Sequence, residues 1–462
     1  MIALSLGEVA AIVAGTLRDA DPAAVVTGSV EFDSRQIGPG GLFLAFPGER
    51  ADGHEFVPAA VHAGAVAAVV SRPVAGPRIE VTDVLTAIGR LAAAVVRRLP
   101  ELTVVGVTGS SGKTSTKDLL AHLLSRLGPT VAPPGSFNNE LGHPYTVLRA
   151  DAATRYLVLE TSARGIGHIR YLCQVAPPRI GVVLNVGSAH LGEFGSREAI
   201  AAAKGELVEE LPVGGLAVLN ADDPLVLGMA ARTSARVVTV GLGAEADVRG
   251  EDVVLDDLGR AAFTLRADGQ SGRVRLGLVG AHHVGNALAA AAVALECGLP
   301  LPDIVAALGH ARPASRWRME VTERPDGVVV VNDAYNANPE SMHAALSALI
   351  EIARSRGARS VAVLGHMAEL GSAAPAEHDA LGRLVRRLGI TRLLAVGAEA
   401  KGIEQGAAAE TGGGETSWVP DAAAALEVLH AEMRPGDVVL VKASRAAGLE
   451  RIALALAGEV PQ

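Results

Sequence analysis

Residues 104–116 read VVGVTGSSGKTST, an apolar run that stops at a glycine-rich turn with a lysine and hydroxyl residues. The order strand, glycine-rich loop and helix start predicts a phosphate-binding loop, because glycines let backbone N–H groups close on phosphate oxygens. Val107 stands where the longer loop motif has its first glycine, so this loop is of the shorter G-x-x-G-K-T type. The predicted nucleotide contacts are Gly109, Ser110, Ser111, Gly112, Lys113, Thr114 and Ser115. Lys113 is expected to reach the β and γ phosphates, and the Thr114 hydroxyl to bind Mg²⁺.

Apolar strands and helical segments alternate after this loop. The predicted strands are YLVLE (156–160), RIGVVLNV (179–186), LAVLN (216–220) and VVTVG (237–241). A more polar, β-rich insert follows at 246–278, and then a helix at 282–298 that ends at a glycine. Strands that alternate with helices predict an α/β fold with a doubly wound parallel sheet.

Two further blocks flank this central region. In the first, LFLAF (42–46) and AVAAVV (65–70) are predicted strands, with a helix at 55–64 between them. In the last, a second doubly wound sheet is predicted from VVVVND (328–333), SVAVLG (360–365), RLLAVG (392–397) and DVVLVK (437–442), with 406–416 as a surface loop. A helical segment at 84–99 and the stretch RPASRW (312–317) mark the boundaries. The predicted domains are 1–83, 84–313 and 314–462.

The composition excludes several classes of function. Of the 462 residues, 49% are hydrophobic and 20% charged, with a formal net charge of −9 and no basic stretch free of interleaved acids, so we expect no nucleic-acid binding. The N-terminus lacks a basic leader, and the apolar runs are too short to cross a membrane. Cys173 and Cys297 lie far apart and are predicted to be free thiols. We expect a cytoplasmic protein without a membrane span.

Three side chains near the predicted sheet edge are candidates for a metal site. Glu160 ends its strand at the carboxyl edge, where doubly wound sheets bind ligands, and His190 follows the next strand. His190 is also consistent with an ordinary hydrogen-bonding loop residue, because Mg²⁺ prefers oxygen. Lys204 either reaches solvent or is desolvated enough to react with CO₂ and form a carbamate that could bind metal. The chain has only five lysines, so each deserves a chemical explanation.

Eight tracts, in order and spacing, resemble the Mur ligase family over essentially the whole chain. They are TGSSGKTS (108–115), SFNNELGHP (136–144), NVGSAHLGEFGS (185–196), AKGE (203–206), GAHHVGNALAAAA (280–292), NDAYNANPES (332–341), VLGHMAELG (363–371) and VKASRAAGLE (441–450). YNANP resembles the branch that adds D-alanyl-D-alanine, and the DNPR tract of the diaminopimelate-adding branch is missing.

The resemblance implies a small N-terminal α/β domain for the UDP-sugar, a central ATPase domain and a C-terminal Rossmann-like domain. It implies ATP-dependent amide formation in peptidoglycan precursor synthesis, with UDP-N-acetylmuramoyl-tripeptide and D-alanyl-D-alanine as substrates. The implied catalytic residues are Lys113, Glu160, His190 and Lys204. The implied cofactors are ATP and two Mg²⁺ ions, with Thr114, Glu160, His190 and carbamylated Lys204 as metal ligands. We expect a monomer.

The remaining functional residues are also implied by the resemblance. Nucleotide contacts are expected from His282, Asn286, Arg316, Asp333 and Asn336. Substrate contacts are expected from Ser34, Arg35, Asn138, Asn139, Tyr335 and Asn338. The sequence departs from the family pattern at the tract TSARGIGHI (161–169), where a methionine-rich run is usual, and at Ala334, His366 and Ala443, where Ser, Asp and Gly are usual.

Other functions are compatible with a phosphate-binding loop alone. Another Mur-type or folylpolyglutamate-type ligase would share the chemistry, but YNANP argues against it. A kinase or a nucleotide-dependent switch would bind ATP, although neither explains the first and third blocks. The sequence leaves open whether the third residue of the tripeptide is diaminopimelate or lysine.

Overall fold

Three sheets with mostly parallel strands follow one another along the chain. The computed structural model describes residues 1–48, 51–133, 135–187 and 191–459. Helices cover the sheets, so the predicted α/β fold class is confirmed. The domain boundaries at 83/84 and 313/314 remain a prediction.

The first block contains a five-stranded sheet in the order β2-β7-β6-β5-β4, in which only β2 runs antiparallel to its neighbour. A separate antiparallel pair joins β1 and β3. The strands are β1 Leu4–Ser5, β2 Thr16–Arg18, β3 Val25–Val26, β4 Val30–Glu31, β5 Leu42–Leu44, β6 Ala67–Val70 and β7 Arg78–Glu80, and the helices are α1 Leu6–Val13, α2 Val57–His62 and α3 Val84–Arg97.

The central block contains a nine-stranded sheet in the order β16-β15-β14-β13-β12-β11-β8-β10-β9. Its strands are β8 Thr103–Thr108, β9 Thr130–Val131, β10 Tyr156–Glu160, β11 Ile180–Val183, β12 Leu216–Asn220, β13 Arg236–Gly241, β14 Val248–Leu255, β15 Arg260–Ala267 and β16 Gln270–Val279. Its helices are α4 Lys113–Leu124, α5 Gly142–Val147, α6 His168–Val175, α7 Leu191–Phe194, α8 Arg197–Glu209, α9 Pro224–Leu227, α10 His283–Glu296 and α11 Leu301–His310. The polar insert at 246–278 forms β-strands, as the sequence predicts, and these strands extend the sheet through the antiparallel pairs β14–β15 and β15–β16.

The last block contains a six-stranded sheet in the order β17-β18-β22-β19-β20-β21, in which only β17 is antiparallel to its neighbour. Its strands are β17 Glu320–Glu323, β18 Val329–Asn332, β19 Ser360–Leu364, β20 Arg392–Val396, β21 Glu415–Val419 and β22 Val438–Lys442. Its helices are α12 Pro339–Ser355, α13 Ala374–Arg387, α14 Lys401–Ala409, α15 Ala422–Glu432 and α16 Glu450–Ala457. Apolar clusters fill both faces of this sheet.

The central sheet places its ligand-binding crevice at β8. After β8 the chain forms β9 and β10 on one side of it and then β11 on the other side, so the strand order switches at β8. In the register of the sheet, Glu160 pairs with Val107 and Val183 pairs with Thr108, which brings the carboxyl ends of three strands together. A crevice at such a switch point is the expected ligand site of a doubly wound sheet.

The predicted surface loop at 406–416 is wrong at both ends. Residues up to Ala409 complete α14, and Glu415 begins β21, which pairs in parallel with β20. The glycine-rich composition suggests a loop. At its start, however, the run of alanines prolongs α14, and at its end pairing with β20 draws the chain into a strand. The sequence analysis also did not identify β17.

The described residues agree with two exclusions made from composition. None of their helices is long and apolar enough to cross a membrane. Cys173 and Cys297 are free, as predicted.

His143 in α5 provides a pH-dependent term in the stability of the fold. Its side chain is 1% exposed, and its Nδ1 atom has no hydrogen-bond partner among the described residues. Burial lowers the pKa of His143 from its ordinary value of 6.5 to about 3. The folded state therefore holds a neutral imidazole, whereas the unfolded chain takes up a proton once the pH falls below the ordinary value.

We expect the stability contributed by His143 to be complete above pH 6.5 and to fall as the pH decreases towards about 3. Within this window the free energy of unfolding should lose about 1.4 kcal/mol per pH unit relative to a His143→Leu variant. Thermal unfolding of both proteins, followed by circular dichroism across this pH range, measures the difference. Parallel pH profiles would show that His143 is not held neutral by the fold.

Candidate active site

One cavity of about 570 Å³ lies between the carboxyl edge of the central sheet and the last block. It brings together most of the residues that the sequence predicts to bind nucleotide or substrate. The predicted residues that line it are Ser110, Ser111, Gly112, Lys113, Thr114, Ser115, Asn138, Asn139, His282, Asn286, Asp333, Tyr335, Asn336 and Asn338.

The loop after β8 is fixed by the segment that follows β11. Asn185 Oδ1 accepts a hydrogen bond from the Ser111 backbone N–H at 2.9 Å, and the Ser110 N–H donates to the Asn185 carbonyl at 3.1 Å. In return, the Gly187 N–H donates to the Ser110 hydroxyl at 2.8 Å. These bonds hold the loop in place before any ligand is present, which lowers the cost of ordering it on binding.

Gly112 is required by both conformation and space. It adopts φ +81° directly before α4, and a Cβ atom on it would stand 2.6 Å from Asn286 Oδ1. Only glycine therefore allows the loop to turn into α4 while Asn286 of α10 packs against it. The first turn of α4 directs its free N–H groups towards the cavity, which favours an anionic ligand.

Glu160 at the end of β10 is buried, with 0% of the residue exposed. Its Oε2 atom accepts hydrogen bonds from the Ser136 hydroxyl at 3.0 Å and the Thr114 hydroxyl at 3.3 Å. Its Oε1 atom has no partner among the described residues. Leaving a buried carboxyl oxygen unpaired is costly, and a cation beside Thr114 and Glu160 would satisfy it.

These oxygen donors fit Mg²⁺. That ion takes few protein ligands and completes its shell with water and substrate phosphates, so one carboxyl group and one hydroxyl group are sufficient. The described residues contain no cluster of three or more His, Cys, Asp or Glu side chains arranged for metal binding. His190 lies outside the described residues.

Two lysines of the central block are desolvated, and one of them, Lys113, lies near this carboxyl group. Lys113 Nζ donates to the Gly109 carbonyl at 2.6 Å, and burial lowers its pKa, with Glu160 opposing the shift. Lys204 in α8 is 6% exposed, and burial lowers its pKa well below the ordinary value, assisted by the positive charge of Lys113. Lys204 makes no hydrogen bond or ion pair with the described residues. It does not line the cavity, and its burial favours the neutral form of the amine.

The loop before α5 places amide groups on the cavity wall. Asn138 Nδ2 donates to the Ser136 hydroxyl at 2.9 Å, and Asn138 Oδ1 accepts from the Ser162 hydroxyl at 3.0 Å. Asn139 Oδ1 accepts from the Gly142 N–H at 2.9 Å and so begins α5. The loop is thereby connected to the Glu160 carboxyl group through Ser136.

The wall from the last block is built around a buried ion pair. Lys442 at the end of β22 donates to Asp333 Oδ2 at 2.6 Å and to the Asn336 carbonyl at 2.8 Å. Asp333 Oδ1 accepts from the Met319 N–H at 3.1 Å. Burial lowers the pKa of Lys442, and Asp333 opposes that shift. Lys442 is one of the five lysines, and no place in the site was predicted for it from the sequence.

The structure places Arg318, and not Arg316, in the cavity. Arg318 Nη2 donates to the Thr114 hydroxyl at 3.2 Å, and its guanidinium group stacks on the Tyr335 ring at 4.2 Å. The Arg316 side chain is 50% exposed and faces Glu459 at 3.7 Å. The sequence SRWR offers two arginines, and the intervening Trp317 has a positive φ of +59°, which sends their side chains in different directions.

Asn338 joins the last block directly to the phosphate loop. It is the N-cap of α12, where its Oδ1 accepts from the Ser341 N–H at 2.8 Å and Pro339 follows at the first helical position. Its Nδ2 donates to the Ser110 carbonyl at 3.4 Å. The residue that begins α12 therefore also holds the two blocks in a closed arrangement around the cavity.

The predicted substrate residues Ser34 and Arg35 do not reach this cavity. Arg35 is 87% exposed and pairs with Asp33 at 2.7 Å, and this arginine is the main reason that the pKa of Asp33 falls to about 2. The first block meets the central block nearby, where the Tyr145 hydroxyl donates to Glu31 at 2.6 Å. Ser34 and Arg35 therefore lie on a separate surface.

The three departures in the last block have structural explanations. Ala334 and Ala443 are both 0% exposed in the apolar core, where Ala443 lies against Gly365. His366 pairs with Glu399 at 3.2 Å and does not line the cavity.

Comparison with known proteins agrees with this geometry. The family descriptions "Mur ligase family, catalytic domain", "Mur ligase middle domain" and "Mur ligase, glutamate ligase domain" match residues 27–109, 107–294 and 317–445. The UDP-N-acetylmuramoyl-tripeptide–D-alanyl-D-alanine ligase of Mycobacterium tuberculosis is 53% identical, and the alignment covers 99% of this chain and 98% of that protein.

Solved structures show the same fold. MurF from Acinetobacter baumannii is 32% identical with a TM-score of 0.88, covering 99% of each chain. The MurF ligase of Thermotoga maritima, solved in complex with ADP, is 30% identical with a TM-score of 0.81, covering 94% of this chain and 98% of that one. The chain belongs to the Mur ligase family.

Proposed function

We propose that the protein is an ATP-dependent ligase that joins D-alanyl-D-alanine to UDP-N-acetylmuramoyl-tripeptide through an acyl phosphate. The observation that carries this proposal is the cavity in which the phosphate loop faces Asp333, Tyr335 and Asn338 from another sheet. Glu160 is hydrogen-bonded to Thr114 at the end of that loop. The names of the similar full-length proteins support the same substrates. The first block, with Ser34 and Arg35, is proposed to bind the UDP-sugar part.

The chemical problem is to make a carboxylate reactive. The tripeptide carboxylate attacks the γ-phosphorus of ATP, the bond to ADP breaks, and an acyl phosphate forms. The amine of D-alanyl-D-alanine then attacks the acyl carbon, loses a proton, and inorganic phosphate leaves. No covalent nucleophile from the protein is needed, so its task is to position reactants and stabilise moving charge.

The residues of the phosphate loop are suited to that task. Lys113, already desolvated beside the loop, is proposed to contact the β and γ phosphates. Arg318 is proposed to contact the γ-phosphoryl group from the opposite wall, because its guanidinium group reaches Thr114 at the start of α4. Positive groups fixed in place beforehand stabilise developing charge without reorganising.

Closure of the cavity serves the second step. An acyl phosphate hydrolyses if water reaches it, so the last block must stay in contact with the phosphate loop during the reaction. Asn338 provides one such contact at Ser110. A second lies at the rim, where Arg164 and Glu369 pair across the two blocks at 3.4 Å.

Mg²⁺, held by the Thr114 hydroxyl and Glu160, would neutralise charge on the triphosphate. His190 and a carbamate on Lys204 are proposed as ligands of a second ion. Burial of Lys204 supports carbamate formation, since a neutral amine is the form that reacts with CO₂. We place the reaction in the cytoplasm and expect a monomeric enzyme.

Phosphate release tests the whole proposal. ATP and Mg²⁺ are supplied with UDP-N-acetylmuramoyl-tripeptide, with and without D-alanyl-D-alanine. Released phosphate is measured, and the mass of the product is determined by mass spectrometry. We expect release only with both substrates and a product mass equal to that of the amide. Release that responds to a free amino acid instead would indicate a ligase for another step. A stable phosphorylated acceptor would indicate a kinase.

Replacing Lys113 with Ala should abolish ligation, because the γ-phosphoryl group loses its main cationic contact from the loop. We expect kcat to fall by at least about a hundredfold. Lys401→Ala, which removes an exposed lysine stacked on Trp418, is the matched control and should keep wild-type turnover. Substantial ligation by the Lys113 variant would remove the loop from the mechanism.

Arg318→Ala and Arg316→Ala form a matched pair two residues apart. We expect the Arg318 variant to lose at least about a hundredfold in kcat, because it removes the guanidinium group at Thr114. The Arg316 variant should stay within about twofold of wild type, since exposed ion pairs contribute little. Steady-state ligation kinetics measure kcat for both variants. A larger loss of kcat in the Arg316 variant than in the Arg318 variant would restore Arg316 as the nucleotide contact predicted from the sequence.

Lys204→Ala should lose activity that added acetate partly restores, because a small carboxylate can occupy the place of the carbamate. Ligation is measured over a range of acetate concentrations, with chloride at equal ionic strength as the control. Failure of acetate to rescue, together with an unmodified lysine in the intact wild-type mass, would argue against the carbamate.

A further inference from the structure

Lys117 has no place in the chemistry above, yet it is among the most deeply buried side chains of the protein. All five lysines lie in the described part of the chain. Lys113 and Lys442 line the cavity, Lys204 is buried behind it, and Lys401 is exposed. Lys117 is 2% exposed and lies one turn into α4, beyond the phosphate loop.

The Lys117 ammonium group uses its full donor capacity at a junction of three segments. Nζ donates to the Pro133 carbonyl at 2.9 Å and to the Ser315 hydroxyl at 3.2 Å, and it forms an ion pair with its neighbour Asp118. An ammonium group has three donors, so each is matched by one acceptor. Ser315 belongs to the linker that leads into the last block.

A single face of α4 holds this linker. Lys117 and Asp118 follow Thr114 by three and four residues, which places both on the side of the helix that Thr114 occupies. Asp118 Oδ2 accepts from the Ser315 N–H at 3.0 Å, and Thr114 accepts from Arg318 at 3.2 Å. Both ends of the segment 315–318 are therefore attached to the helix that begins at the phosphate loop.

The linker between these attachments has an unfavourable backbone. Trp317 and Met319 have φ values of +59° and +51°, the left-handed region that side chains other than glycine rarely adopt. Arg318 lies between them. Such a conformation persists only where surrounding contacts impose it. Here the Ser315 N–H donates to Asp118 at one end of the linker, and the Met319 N–H donates to Asp333 at the other end.

We propose that Lys117 is a positioning residue that fixes the linker 315–319 on α4 and thereby places Arg318 at the phosphate site. Lys117 touches no reactant, and its effect on turnover passes through Arg318. Arginine is a poor substitute, because its planar fork does not match three acceptors arranged around one nitrogen in a buried site. The kinetic consequence rests on the proposed ligase function, whereas the attachment of the linker does not.

Amide hydrogen exchange tests the attachment without any substrate. Wild type, Lys117→Met, Ser315→Ala and the control Lys401→Met are compared over the peptide 312–320. We expect exchange of this peptide to accelerate by about tenfold in Lys117→Met and less in Ser315→Ala, and to stay unchanged in the control. Unchanged exchange in both linker variants would overturn the proposal. Ser315→Ala removes only one hydroxyl group and serves if Lys117→Met does not fold.

A double-mutant cycle with Arg318→Ala tests the path of the effect. We expect Lys117→Met to lower kcat by about tenfold in the wild-type background and by less than about twofold in the Arg318→Ala background, with the KM for ATP changing little. Equal losses in both backgrounds would show that Lys117 acts by general stability and would overturn the proposal. Absence of ligation by the wild type would refute the ligase function, and the exchange experiment would still decide the role of Lys117.

Discussion

The active site depends on the burial of one carboxyl group, that of Glu160. It ends β10, the strand beside the edge strand β9 of the central sheet, and it is fully inaccessible. One of its oxygens accepts from the hydroxyls of Ser136 and Thr114, while the other has no partner among the described residues. Burial of such a group is expensive unless a cation or donor compensates it. The nearby cationic groups of Lys113 and Arg318, together with the proposed metal, meet this requirement. A site for a highly charged triphosphate follows from the same arrangement.

A second constraint is that the site is shared between two sheets. The phosphate loop belongs to the central sheet, whereas Asp333, Asn336 and Asn338 belong to the last block. Neither sheet alone encloses the cavity, so catalysis requires the two to be held in register. Asn338 and Arg318 bridge them directly, and the face of α4 carries the linker between them. The helix that follows the phosphate loop is thus also the helix to which the linker of the opposite wall is bonded.

Much of this could be predicted from the sequence because the signals are local. The strand, loop and helix at 104–116 and the strand that ends at Glu160 follow from residue types at short spacing. The choice between Arg316 and Arg318 could not be predicted, because it depends on a left-handed residue between them.

The contacts of Lys117 and Lys442 join residues far apart in the chain, so no local pattern contains them. The end of α14 was missed because its alanines prolong the helix, and strand β21 was missed because pairing with β20 outweighs a glycine-rich composition.

The central claim is that the γ-phosphoryl group passes to the tripeptide carboxylate inside the closed cavity. The most direct measurement uses tripeptide substrate with isotopically labelled carboxylate oxygens and follows the label into the inorganic phosphate released during ligation. The account predicts that one labelled oxygen appears in each phosphate, because the carboxylate oxygen that attacks ATP leaves with the phosphate when the amine displaces it. Phosphate without the label, released while the amide forms, would contradict an acyl phosphate and with it the role assigned to the cavity.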